Sequence, residues 1–403
     1  MTTPSLYETI GLSVNFWRPT VTFTAGTPNT VTVVPKGQHV ETLTDTYTSL
    51  SYVLNAVGGF WSASITLTDD RLAMEWWLQN GVGLYVEIAD PSATIVWAGF
   101  VNSLSMNLAG LTVTKGPLLD TGNRVIVTYA PVESVPPVEP QLETRTDTSM
   151  GEDDDSQRRY GILYAYLSTG GVTAAEADQL RDMFLAENAQ PKLSRSLDLS
   201  GAPGDSAVTL DCAGYVQMFG QWPYSYTLLS ALTNLSIKLA SVINADPNGI
   251  FSSANASITA NTIQVPAWES SQRDAWTILR GLVDLGDVAG NRYLLQVGPD
   301  QHVTYEPMPT EAEYHQRITG NRQDIETVGG RSVQPWHVKA GKWVIIPDLL
   351  VGMLPIGDLR SDPRAMFIEQ LTYTAPWGLS LQGGDADRIN QIIARYGLDG
   401  TDL

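Results

Sequence analysis

The chain of 403 residues carries 24 Lys and Arg against 43 Asp and Glu, a net charge of −19, which argues against nucleic-acid binding by phosphate neutralisation. An apolar share of 43% with 16 Tyr and 11 Trp sets it apart from disordered acidic chains, and the length suits two to four globular domains. The single cysteine, Cys212, excludes an internal disulfide framework and a cysteine-based zinc site.

The opening Met1-Thr2-Thr3-Pro4-Ser5-Leu6 has neither the basic nor the apolar region of a signal peptide. No run approaches the roughly 20 apolar residues of a membrane span, so a soluble chain made in a cytoplasm is expected.

Residues 10–130 read mostly as strands, rich in Thr and Val and punctuated by Gly, Pro and Asn. Ser62-Ala63-Ser64-Ile65-Thr66-Leu67 alternates, 83–89 forms a second run, and 100–106 turns at Asn107-Leu108-Ala109-Gly110 into 111–114, a hairpin. A helix after Thr68-Asp69-Asp70 places Leu72, Trp76 and Trp77 near helical spacing, its aromatics facing the sheet, with Gly81 as its stop. Four prolines, Pro131, Pro136, Pro137 and Pro140, mark a connector. The acidic run Glu152-Asp153-Asp154-Asp155 opens a region, 150–190, that reads as a helical hairpin. Its second helix starts with Thr173 and Glu176 as a capping box.

Strand pattern returns at Ala207-Val208-Thr209-Leu210-Asp211-Cys212, with Cys212 as a small buried filler. An aromatic stretch follows over 215–226. Helices are expected at 234–243 and after Ser270-Ser271, the latter with Asp274 three residues on from Ser271 and Ala275, Ile278, Leu279, Leu282 and Leu285 on one stripe. A hairpin spans 292–305, strands lie at 343–346 and 365–374, and a last helix covers 385–396. The class is a β-dominated α+β fold with helical insertions.

Landmarks recur in the same order. Gly83-Leu84-Tyr85-Val86-Glu87-Ile88 parallels Gly341-Lys342-Trp343-Val344-Ile345-Ile346, and Phe100-Val101-Asn102-Ser103-Leu104 parallels Phe367-Ile368-Glu369-Gln370-Leu371. Gly110-Leu111-Thr112-Val113-Thr114 is then set against Gly378-Leu379-Ser380-Leu381-Gln382. On this echo the chain holds two related β-domains, and the hairpins 100–116 and 367–384 occupy equivalent places. Two such domains per subunit let three copies present six similar surfaces, matching a threefold object to a sixfold one.

With Gly59-Phe60-Trp61-Ser62-Ala63-Ser64-Ile65, Val96-Trp97-Ala98-Gly99-Phe100-Val101 and Ala275-Trp276-Thr277-Ile278-Leu279-Arg280-Gly281-Leu282, the chain resembles the baseplate hub and tail tip proteins of tailed bacteriophages. The resemblance implies two tube-type antiparallel β-barrel domains with helical insertions: a first over 1–134, an acidic connector and helical hairpin over 135–195, a middle α+β region over 196–330, and a second tube-type segment with a C-terminal helix over 331–403. It implies a non-enzymatic structural protein at the distal end of a virion tail. Such a protein forms a ring, a homotrimer, that joins the tail tube and distal tail to a tip or spike and leaves a passage for DNA ejection. Segments linking the domains, with 215–226, are expected at subunit contacts. Acidic side chains facing a lumen would repel phosphate, and neutral Thr, Ser and Asn would hold DNA weakly. A sixfold distal-tail ring is the neighbouring alternative. The region 135–195 has no place in the family pattern.

No nucleotide, protease or esterase motif is present. His39, His302, His315 and His337 are scattered without metal-ligand spacing, and the run 152–155 lacks the Gly turn and distant Glu of a calcium loop. Asp69 with Asp70, and Glu311 with Glu313, are carboxylate pairs with simpler capping roles than glycosidase chemistry. No catalytic, cofactor or metal residue is therefore assigned. Trp222, Trp268 and Trp377, beside Pro or Gly, are the surface candidates for a host-glycan-binding tail module, the second functional alternative.

Overall fold

The computed structural model describes residues 12–23, 31–44, 47–68, 71–108, 110–131, 145–197, 206–224, 232–265, 274–319, 322–346 and 364–383. The first part contains β1 (Ser13–Phe23), β2 (Val31–Leu43), β3 (Tyr47–Asn55), β4 (Gly58–Leu67), α1 (Arg71–Asn80), β5 (Tyr85–Ala89), β6 (Ile95–Leu108) and β7 (Leu111–Lys115). There follow β8 (Arg124–Pro131), the short β9 (Thr146–Asp147) and β10 (Gly151–Glu152), α2 (Asp154–Tyr160), β11 (Tyr164–Val172), α3 (Ala174–Asn188), β12 (Leu193–Leu197) and β13 (Ala207–Ala213). The middle holds β14 (Thr233–Asn234), α4 (Leu235–Ile243), β15 (Ala256–Ile258), β16 (Gln264–Val265), α5 (Ala275–Asp284), β17 (Tyr293–Val297) and β18 (Val303–Pro307). The last stretch holds β19 (Ala312–Thr319), β20 (Arg322–Thr327), β21 (Ser332–Val333), β22 (Trp343–Ile345), β23 (Ala365–Thr374) and β24 (Gly378–Gly383).

The fold is β-dominated, and among the described residues its strands close no barrel. Period-two patterning places β3 and β4 as sheet strands with one dry face: Leu50, Tyr52 and Leu54, with Ala63, Ile65 and Leu67, are buried, and the residues between them are not. β13 repeats the pattern with Val208, Leu210 and Cys212 buried, and burial pushes the Cys212 thiol up, as suits a packing residue.

Three local expectations change. In α1 the buried residues are Met74 and Trp77, whereas Leu72 is 76% exposed, so the helix turns a different stripe to the sheet. Trp77 packs edge-on to Phe16 at 4.9 Å. The expected helical hairpin over 150–190 is helix, strand, helix. The first helix stops at Gly161, whose φ of 80° suits glycine, and β11 then pairs parallel to β8. The Tyr and Leu residues of 164–167, adjacent in a strand-favouring run, fill that ladder instead of a helix face. The capping box of Thr173 and Glu176 does open α3. The stretch 215–224 also differs: Tyr215, Val216, Met218, Phe219, Trp222 and Tyr224 are buried in the chain's own core, so these aromatics are not free for a partner. Tyr226 lies outside the described residues, as do Asp69, Asp70 and the helix expected over 385–396.

α5 starts with Asp274 accepting from the Thr277 N–H at 2.8 Å, and Ala275, Ile278, Leu279 and Leu282 are buried as the spacing predicts. The 135–195 region is tied to the rest by two buried amides. Asn123 donates to the Gly161 carbonyl at 2.8 Å and accepts from the Leu163 N–H at 2.8 Å. Asn248 donates to the Ile162 carbonyl at 2.9 Å and accepts from its N–H at 2.6 Å.

Candidate functional site

Eight strands lie side by side through antiparallel ladders, in the order β24, β23, β3, β4, β13, β6, β7, β12. One face is the core. The other is open, and its register brings one side-chain type into rows. Thr372 stands opposite Ser380 and Val53, and Ser51 opposite Thr374 and Ser64. Thr66 stands opposite Thr209, which faces Ser105, which faces Thr114, which faces Ser194. Hydroxyls bond across strands, Thr66 to Thr209 at 3.2 Å and Thr114 to Ser105 at 3.5 Å, while Gln370 donates to Asn55 at 3.1 Å. Among these register-paired open positions Asp211 is the one ionisable group, holding Ser64 and Ser103 at 3.4 Å. The acidic excess of the chain is therefore not on this face. Its chemistry is that of neutral hydroxyls and amides.

The sequence echo has a structural counterpart. Gly83 donates to the Val101 carbonyl and Val101 to the Leu84 carbonyl, both at 2.9 Å; Gly341 donates to Ile368 at 2.8 Å and Ile368 to Lys342 at 2.9 Å. Both glycines sit at positive φ, 87° and 81°. Tyr85 pairs with Phe100 as Trp343 pairs with Phe367. The neighbours beyond differ, since β5 pairs antiparallel to β1 and β22 parallel to β19.

The return strands do not correspond as expected. β24 lies on β23 as β13 lies on β6: both ladders skip a residue at the same step, Asn102 between Val101 and Ser103, Glu369 between Ile368 and Gln370. This matches Ala207-Val208-Thr209-Leu210-Asp211-Cys212 with Gly378-Leu379-Ser380-Leu381-Gln382-Gly383. β3 then takes on β23 the place of β7 on β6, with Leu371 opposite Leu54 and Leu104 opposite Lys115. Beyond them β4 lies on β3 as β12 lies on β7. Ser62-Ala63-Ser64-Ile65 thereby matches Ser194-Arg195-Ser196-Leu197. The hairpins 100–116 and 367–384 thus share their outgoing strands only. A four-strand unit, β24-β23-β3-β4, recurs as β13-β6-β7-β12. Because every step is antiparallel, β23 and β6 run in the same direction, about 19 Å apart at four strand spacings. The matching segments follow one another in a different order along the chain, which is why an ordered comparison of the sequence misses them.

The remaining candidates are scattered. Trp222 is 2% exposed, tilted against Phe219 at 5.3 Å, and is no surface residue; Trp268 lies outside the described residues. Trp377 is 51% exposed, 5.7 Å from Trp336, at the rim of a cavity of about 720 Å³ with Leu379 and Leu381. Glu152 pairs with Arg124 at 2.7 Å, Asp153 caps α2, and Glu313 pairs with Lys342 at 3.3 Å. His39 bonds Thr42, His302 bonds Ser257, and His337 meets Asp90 at 2.7 Å. Burial opposes ionisation of the Asp90 carboxyl, but the Ser92 hydroxyl, the His337 contact and the backbone N–H groups of Thr94 and Ser92 together hold it low. Among the described residues no three His, Cys, Asp or Glu converge as a metal site, and no helix is long and apolar enough to cross a membrane.

No protein-family model matches the chain, and no curated protein sequence matches it. Two solved structures are similar in outline. One is a tail protein from Neisseria meningitidis MC58, 7% identical, with 94% of this chain and 98% of that one covered at a TM-score of 0.41. Another is the 43 kDa tail protein of prophage MuSo2 from Shewanella oneidensis, 8% identical, with 91% and 93% covered at a TM-score of 0.39. Both scores lie below the level at which a shared fold follows, so the functional reading rests on the sheet itself.

Proposed function

We propose that this chain is a non-enzymatic structural protein of a phage tail, a hub whose copies form a ring around a passage for DNA. The observation that carries the reading is the duplicated four-strand unit with an open hydroxyl face. Two units in one direction on one sheet are related as neighbours in a ring are, by a repeated step rather than by a reversal. A surface that DNA slides past must offer few cations to phosphate and few deep pockets to bases, and rows of Ser, Thr, Asn and Gln meet both conditions. Eight strands per chain give a trimer 24 strands. With a spacing of about 4.8 Å and a tilt of about 40°, that barrel has a backbone diameter of about 48 Å, wide enough for a duplex.

Native mass by light scattering on the purified chain tests this. A threefold mass is expected. A sixfold mass points to a distal-tail ring, and a chain that stays monomeric at every concentration overturns the ring. Trp377 favours a second reading, a glycan-binding tail module, which predicts that host glycans shift tryptophan emission and that Trp377→Ala abolishes the shift.

A further inference from the structure

Resting on the ring reading, we infer that neighbouring copies join edge to edge, with β12 of one chain laid antiparallel on β24 of the next so that Leu197 faces Leu381 and Ser196 faces Gln382. Each of these strands has a hydrogen-bonded strand on one side only among the described residues: β12 pairs with β7, and β24 with β23. Unpaired edges invite another strand, and proteins that do not use them usually blunt them with charge, proline or a cover. β12 carries a single charged residue, Arg195, and β24, Gly-Leu-Ser-Leu-Gln-Gly, carries none.

The partner strand is identified by the duplication. Within the chain, the strand matching β12 is β4, and the strand matching β24 is β13. β4 and β13 are directly paired, Ile65 opposite Leu210 and Ser64 opposite Asp211. Carrying that register across the correspondence puts Leu197 opposite Leu381 and Ser196 opposite Gln382. Directions agree, because β12 runs as β4 does and β24 as β13 does. The faces agree as well, since Ser194 and Ser196 continue the open hydroxyl rows and Leu193, Arg195 and Leu197 continue the core face.

Exposure singles out the same residues. Ile65 and Leu210 are fully buried where the two units meet inside the chain, whereas Leu197 is 63% exposed and Leu193 45%. On the outer edges Leu197, the counterpart of Ile65, is therefore uncovered, and Leu381, the counterpart of Leu210, is only half-buried. The joint is heterologous, one edge taking a different edge, so it propagates in one direction, as the joints of a ring do.

The test is cysteine cross-linking of the full chain. Opposed residues of an antiparallel pair have Cα atoms about 4.5–5.5 Å apart, within disulfide range. Ser196→Cys with Gln382→Cys, oxidised under assembling conditions, is expected to give a covalent ladder ending at the ring size, while each single variant gives none. Buried Cys212 does not compete. In parallel, Leu197→Lys is expected to raise the concentration for half-assembly by about 10- to 100-fold, the change that corresponds to losing one buried leucine. Leu381→Glu combined with it should restore assembly, and the unchanged melting temperature of the monomer shows that folding is intact. A wild-type ring in which the double cysteine variant does not cross-link, or in which Ser194→Cys cross-links to Gln382→Cys instead, overturns this joint and leaves the ring standing. A wild-type chain that never assembles removes the ring itself and this joint with it.

Discussion

Leu210 and Leu381 occupy matching positions on β13 and β24, so the same truncation at each measures how the two units differ in surroundings. Leu210 is fully buried between Ile65 and Leu104, and Leu210→Ala leaves a cavity that the rigid sheet cannot close. A cost of about 3–5 kcal/mol is expected. Leu381 is half-buried at an edge, where water replaces much of the removed side chain, and Leu381→Ala costs about 1 kcal/mol in the isolated chain. The assay is urea unfolding followed by tryptophan emission, below the concentration at which copies associate, then repeated above it. In the associated state Leu381→Ala should lose further stability and shift assembly to higher concentration. Equal costs at the two sites in the monomer, or an unchanged assembly midpoint for Leu381→Ala, would refute the correspondence of β13 with β24.

Gly83→Ala and Gly341→Ala should each destabilise by about 1–2 kcal/mol in thermal melts, because both glycines hold positive φ at the same point of the repeated unit. Asn248→Ala should cost about 2–3 kcal/mol by urea titration, since it strands the N–H and carbonyl of Ile162 in the interior. Burial holds the Lys238 ammonium, 4.9 Å from the Tyr224 ring, down at about 8. Its value in the unfolded chain is 10.5, so the folded chain binds fewer protons between those limits. Stability should therefore rise with pH from about 8 to 10.5, and Lys238→Met should flatten that slope in unfolding curves taken across the window. On the open face, Ser105→Lys with Thr372→Lys should make the assembled ring retain duplex DNA in fluorescence anisotropy at low salt and release it at high salt, whereas the wild type retains little at either. Salt-independent retention by the wild type would contradict a sliding surface.

Much of the local structure was legible along the chain. Alternation in 62–67 and 207–212, the apolar stripe from Ala275 to Leu282 and the Thr173 box determine elements through period and hydrogen-bonding capacity, which are properties of neighbouring residues. So does the Gly83 and Gly341 echo, because a positive-φ glycine before an aromatic strand is a local signature. The segment 164–167 was misread because Tyr and Leu satisfy either a helix face or a strand, and only the β8 ladder, some 40 residues upstream, selects the strand. Trp222 beside a proline reads as surface, yet the packing of Phe219 and Phe251 buries it.

The candidate surface was the least legible part. Composition shows abundant Ser and Thr and a large acidic excess, but not that the hydroxyls share one face and the carboxylates mostly avoid it. Pairing decides that, and pairing joins β3 to β23 across more than 300 residues of chain. For the same reason the matching of β12 with β4, and of β24 with β13, emerges only from register. What the sequence determined by itself is period, capping and turn chemistry. What the tertiary structure decided is which edge meets which, because a strand's partner is chosen by apolar burial and ladder geometry between distant segments.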